Sequence, residues 1–216
     1  GDWRLGETTG FLADWIGNYV GSGAGGVTRG SAGALTNDND RAVSLDGVDD
    51  IIHVASVGPF VTTSALTAEV WVRPAASPAG DGAWQFMLKG PVTGAAYGWF
   101  VGMKSNGRLI FTQAGSSVAL TSPVSTVLFN TWQHIVATWD GSYQTIRQNA
   151  TIVASAAQTR PNCEPGLDTL KFGDSSVVAP YNGLFDEFAL YNFALSSSQI
   201  AQHYWAGGGC GTLGVT

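Results

Sequence analysis

The stretch LTAEVWVRP, residues 66–74, alternates two kinds of position without a break. Leu66, Ala68, Val70 and Val72 fall on one side; Thr67, Glu69, Trp71 and Arg73 fall on the other. That period of two belongs to a strand with one face buried, not to a helix. TWQHIVATWDG (131–141) repeats the pattern and ends in an Asp-Gly turn pair. Further short strand signals with turn residues between them occur at RAVSL (41–45), DIIHVA (50–55), WQFMLKG (84–90), YGWFVGM (97–103), GRLIFTQ (107–113), SVALTS (117–122), TLKFGDS (169–175) and YNGLFDEFALYN (181–192). Asn106-Gly107 reads as a two-residue hairpin, because both residues tolerate positive φ.

One helix is expected, over LSSSQIAQHYWAGG (195–208). Ser196 precedes Gln199 at capping-box spacing, Leu195, Ile200 and Tyr204 share a face, and Gly207 supplies a stop. At this length it depends on packing against the sheets. The glycine-rich run 21–40 reads as a long loop with little strand character. The fold class is therefore all-β, a two-sheet antiparallel jelly-roll sandwich with one short helix near the C-terminal end. Trp71, Trp84, Trp99, Trp132 and Trp139 are expected to fill the core and the sheet faces. Hydrophobic residues make up 44% of the 216, enough for such a core, and charged residues only 12%. The surface is left to uncharged polar side chains, which suits extracellular and virion proteins.

Net charge is −6. No basic stripe is present, which argues against nucleic-acid partners, and no apolar run approaches the ~18 residues of a membrane helix. The opening GDWRLGETTG lacks a signal peptide and an initiating Met, as in a processed product or an excised domain. Cys163 and Cys210 permit one disulfide; two unpaired thiols are the alternative.

LDGVDD, residues 45–50, concentrates Asp46, Asp49 and Asp50. Turn aspartates accept backbone N–H bonds, so a hairpin connection accounts for them; the second reading is a metal ligand set. Asp186 and Glu187 are adjacent on a strand, so one of them should point inward or toward a sheet edge, and an inward carboxylate needs a partner: a cation, Arg4 or Arg41, or backbone donors. Glycosidase chemistry needs two carboxylates spaced across a sugar. Here the pair is adjacent and Glu69 stands alone in its strand, so no enzyme activity is expected. His134 reads as a packed structural residue, and no zinc spacing, nucleophile elbow or phosphate loop occurs. Aromatics remain: Trp15, Tyr19, Trp84, Tyr97, Tyr143 and Tyr181 lie near loops or strand ends. Trp84 and Tyr97, bracketing KGPVTGAAYG, are the preferred ligand-binding pair.

DWRLGE with ADWIG, AVSLDGVDDIIHV, LTAEVWVRP with TWQHIVATWDG, and GLFDEFALYNFALSSSQIAQHYWAG occur in an order that resembles the laminin-G-like, concanavalin-A-like jelly-roll domains. The resemblance implies one domain over 1–206 with a glycine-rich tail at 207–216, and a first strand lying near the last. It implies a structural calcium in many members, for which Glu7 or Asp14 could meet Asp186. It also implies a noncatalytic extracellular or cell-surface module that recognises a glycan or, alternatively, a virion, filament or surface-layer subunit that contacts neighbouring structural protein subunits. Membrane insertion is not expected. One departure from the family pattern is Asn149-Ala150 where Asn-Gly is common.

Overall fold

The computed structural model describes residues 1–17, 19–54, 64–77, 83–89, 98–113, 119–159, 169–173 and 180–209, with β7 side chains described at Phe86 and Met87. Among the described residues, fifteen strands and one helix build two sheets. The first runs β13 (Thr151–Ala157), β12 (Tyr143–Gln148), β11 (Gln133–Trp139), β6 (Leu66–Pro74), β15 (Asn182–Tyr191), β4 (Arg41–Asp46) and β3 (Thr28–Ala32), and β1 (Asp2–Trp3) also pairs with β15. The second runs β10 (Leu120–Thr121), β9 (Leu109–Gln113), β8 (Trp99–Lys104), β7 (Ala83–Lys89), β14 (Leu170–Phe172), β5 (Ile51–Val54) and β2 (Gly21–Ala24). Every pairing is antiparallel. The expected sandwich is present, and the first strand adjoins the last.

The alternation in β6 divides as its sequence requires. Leu66, Ala68, Val70 and Val72 enter the main core with Trp3, Trp99 and Trp139. Thr67, Glu69 and Trp71 face the other way and are still buried. Their cover is α1 (Ser197–Ala206), capped by Ser196 and Gln199 as the spacing predicts. Ile200 and Leu195 pack on Val136 of β11, and Tyr204 stacks on Trp71 at 5.8 Å. Burying a side chain such as Ile200 contributes about 1.5–3 kcal/mol. His134, the cross-strand partner of Trp71, is buried and stacks on it at 5.1 Å, so the packed reading holds.

Three expectations need correction. LDGVDD is not a hairpin: β4 belongs to the first sheet and β5 to the second, so the turn carries the chain across the sandwich. Asp46 accepts from Val48 N and Asp50 from Asp46 N, each at 2.8 Å, which bends the backbone without strand pairing. The 21–40 run is not all loop, because β2 pairs with β5 and β3 with β4. Backbone pairing needs no apolar side chain, so neither strand carries an alternation signal. Finally, neither Asp186 nor Glu187 joins the apolar core. A bulge between Asp186 and Ala189 holds Glu187 at φ 46, and Phe185 and Phe188 fill the core on either side of it.

Candidate functional site

Near the N-terminus the chain forms a small cleft of about 190 Å³ lined by Arg4, Gly6, Glu7, Trp15 and Asp40. It is built from Leu5 outward. Leu5 is buried and sits at φ 63, a left-handed conformation that costs a non-glycine residue about 1–2 kcal/mol. Core burial of its side chain offsets that cost and turns Arg4 and Gly6 towards the cleft. A Cβ on Gly6 would meet Asp40 Oδ1 at 1.5 Å, so only glycine lets Asp40 approach. Arg4 Nε lies 3.0 Å from Asp40 and 3.1 Å from Glu187, and its Nη2 pairs with Asp38.

The opposite wall comes from residues 11–17. Trp15 N donates to the Asp2 carbonyl at 2.8 Å, while Asp14 Oδ1 accepts from Asp2 N at 2.9 Å. Glu7 Oε1 accepts from Ala13 N at 2.8 Å. The second carboxylate oxygens of Glu7 and Asp14 are buried without a hydrogen-bond partner. So anchored, the Trp15 indole is 66% exposed, with the Arg4 guanidinium 5.6 Å from its ring centre. An exposed indole beside paired carboxylates and a guanidinium can stack on a sugar ring and bond its hydroxyls.

At one end of the sandwich, Asp46, Asp49 and Asp50 each place an oxygen within 4.8 Å of the others. Asp50 is buried, and its Oδ1 has no hydrogen-bond partner. Burial and then its two acidic neighbours push its carboxyl up, the direction expected where a counter-ion would help. The Gly25-Gly26 turn between β2 and β3 lies against the triad. A Cβ on Gly26 would stand 3.5 Å from Asp50 Oδ1, and one on Gly25 would meet the Asp49 carbonyl at 2.2 Å. Three carboxylates with an orphaned buried oxygen fit a hard divalent cation.

The other proposed metal ligands are not gathered. Asp186 is buried and accepts from Ala34 N at 2.7 Å and Glu187 N at 3.1 Å. Backbone donors satisfy it rather than Arg4 or Arg41, and it joins no group of three such ligands with Glu7 or Asp14. Among the described residues only the Asp46 triad brings three such groups together. The side chain of Trp84, and Tyr97, Cys163 and Cys210, lie outside the described residues. Of the other loop aromatics, Tyr181 is fully buried and Tyr143 is 54% exposed. Sequence reasoning named Trp15 but missed Arg4, Gly6 and Asp40 as its cleft partners; no local spacing joins them.

A two-sheet antiparallel sandwich closed by one short helix defines a class of jelly-roll modules. The chain belongs to the concanavalin A-like lectin/glucanase superfamily, whose family model matches residues 46–201. No curated protein matches. Solved structures share the fold. The receptor binding domain of botulinum neurotoxin C/D mosaic serotype is 15% identical, with TM-score 0.73 over 94% of this chain and 50% of that one. The binding domain of botulinum neurotoxin DC in complex with SialylT is 14% identical, with TM-score 0.71 over 95% and 50%. Botulinum neurotoxin type C, whose cell entry is dependent upon interaction with two ganglioside molecules, is 15% identical, with TM-score 0.69 over 95% and 50%. This chain spans about half the length of each.

Proposed function

We propose that the chain is a noncatalytic carbohydrate-binding module whose sugar seat is the Trp15 cleft. The observation that carries this reading is the exposed Trp15 indole standing over Arg4, Glu7 and Asp40. An apolar ring face beside hydroxyl-bonding groups is what a pyranose presents a need for. Support by analogy comes from the shared fold of neurotoxin proteins that interact with gangliosides or are seen in complex with SialylT. Hydrolysis by the adjacent Asp186–Glu187 pair is disfavoured because Asp186 is 1% exposed and engaged by backbone donors, out of reach of a substrate. Such a module works on a cell surface, in a matrix or on a virion. A structural calcium at Asp46, Asp49 and Asp50 would brace the turn between the sheets.

A glycan array on the full chain, followed by titration of the best binder, tests the proposal. Trp15→Ala should weaken binding at least tenfold, about 1.4 kcal/mol, without shifting the unfolding midpoint. Undiminished affinity would remove the cleft from consideration. A second reading, a subunit of a larger assembly, draws on Phe11, Ile16 and Val20, which are 68%, 74% and 52% exposed around Trp15. It is favoured instead if native mass measurement gives a defined oligomer that Ile16→Asp dissociates and no glycan binds.

A further inference from the structure

On the outer face of the first sheet, α1 borders a pocket of about 260 Å³. Three carboxylates reach it from three strands: Asp2 of β1, Glu69 of β6 and Glu187 of β15. Glu69 is the best supported of them. Its oxygens lie 3.0 and 3.1 Å from His203 Nδ1, the Tyr191 hydroxyl donates to it at 3.4 Å, and His134 Nε2 stands 3.7 Å away. The Asp2 carboxylate takes part in none of the side-chain hydrogen bonds or ion pairs among the described residues. His134 also lines the pocket, is 1% exposed, and has an Nδ1 without a hydrogen-bond partner. The pocket thus holds a carboxylate with no hydrogen-bond partner among the described residues, in the field of the Gly1 ammonium and Arg4, and a buried nitrogen without a partner.

Local cations fall short of the acids. Arg4 is divided among Asp38, Asp40 and Glu187, His203 pairs with Glu69 and acts weakly on Asp2, and the Gly1 ammonium, which donates to the Leu190 carbonyl, is shared between Asp2 and Asp14. Burial, chiefly, pushes Asp2 up and Glu187 up to about 7, and Glu69 adds to the effect on Asp2. A bare metal ion suits this geometry poorly. A calcium bonds oxygens at roughly 2.3–2.6 Å, which brings them within about 5 Å of one another. Among the described residues only the Asp46 triad meets such a spacing. Carboxylates spread around a larger space, with Leu35, Ala189 and Ala206 supplying apolar wall, call for a cation carried on a carbon body.

We propose that this pocket binds an organic ammonium group on a body the size of one sugar ring or one lysine side chain. The site shares no lining residue with the Trp15 cleft, so it stands or falls separately from the glycan reading. Asp2, Glu69 and Glu187 supply the counter-charge, and the His134 imidazole, its Nε2 3.7 Å from Glu69, forms part of the wall.

The test is calorimetric titration of the full chain with glucosamine and, separately, with Nα-acetyl-lysine methylamide. N-acetylglucosamine and Nα-acetyl-norleucine methylamide serve as their uncharged counterparts. At least one ammonium carrier should bind tenfold or more tightly than its counterpart, and which carrier binds separates an amino sugar from a peptide source. Asp2→Asn, which removes charge but no hydrogen bond, should weaken that binding at least fivefold; Glu69→Gln should do the same. Trp15→Ala should leave it unchanged. The proposal is overturned if neither carrier outcompetes its counterpart, if Asp2→Asn and Glu69→Gln both bind as well as the parent, or if Trp15→Ala abolishes the binding.

Discussion

Asn149 and Ala150 connect β12 to β13 with φ of 50 and 67. Both central residues of the turn are left-handed, the geometry that matches the twist of paired strands. Asn149 accommodates it and its Oδ1 accepts from His134 N at 2.9 Å. Ala150 has a Cβ that this conformation penalises. Ala150→Gly is therefore expected to stabilise the chain by up to about 1 kcal/mol, read as a higher urea midpoint at unchanged slope. Asp50 carries the second prediction at this scale. Saturating calcium, at a hundredfold excess over Kd, should stabilise the fold by about 2.7 kcal/mol and raise the unfolding midpoint by roughly 5–10 °C. Chelator should reverse the shift, and Asp50→Asn should abolish it. A midpoint indifferent to calcium in the parent chain would leave the triad as a hydrogen-bonded turn.

The helix α1 illustrates how an element can be local in origin and tertiary in purpose. Its start is written in Ser196 and Gln199, whose reciprocal capping forms as the spacing requires. Its position depends on partners fifty or more residues away: Val136, Trp71, and Arg147, whose Nη2 donates to Ser197 at 2.8 Å. Ser196→Ala should destabilise the fold by about 1 kcal/mol, measured by denaturant unfolding. Because His203 pairs with Glu69 across the same interface, loss of the cap should also loosen the ammonium pocket before global unfolding. Hydrogen exchange along 197–206 would report this.

At the scale of the molecule, the acids of β15 set the response to pH. Burial pushes Asp186 up to about 8 and Glu187 up to about 7, so the folded chain holds protons that the unfolded chain has released. A hydrogen bond to Glu69 raises His203 as well. Stability from the two carboxyls is full below their unfolded range near 4 and is lost steadily as pH rises to about 7 for Glu187 and about 8 for Asp186; the His203 part is lost above 6.5. His134, lowered to about 4 by burial, acts oppositely: its contribution is present above about 6.5 and fades as pH falls. The urea midpoint of chelator-treated protein should therefore fall as pH rises from 5 to 8, with His134 offsetting part of the fall below about 6.5. Asp186→Asn should flatten the alkaline limb; a midpoint that rises towards pH 8.5 would contradict the assignment.

What the sequence determined by itself is the set of elements that alternate or cap. Period-two patterning in β6 and β11 chose which side chains meet the core, and Ser196 with Gln199 started the helix. Those signals are local, because a strand face and a helix cap are made by residues a few positions apart. The tertiary structure alone decided where unpatterned segments pair, how LDGVDD crosses between sheets, and which distant polar groups meet. Glu69 stands alone in its strand yet lies beside His134, His203 and Tyr191, drawn from three other elements. Arg4 reaches Asp38, Asp40 and Glu187 in the same way. Such encounters depend on sheet order and on the bulge at Glu187, where one extra residue reverses which face a side chain takes. Period-two patterning records which face a residue lies on, not what lies opposite it.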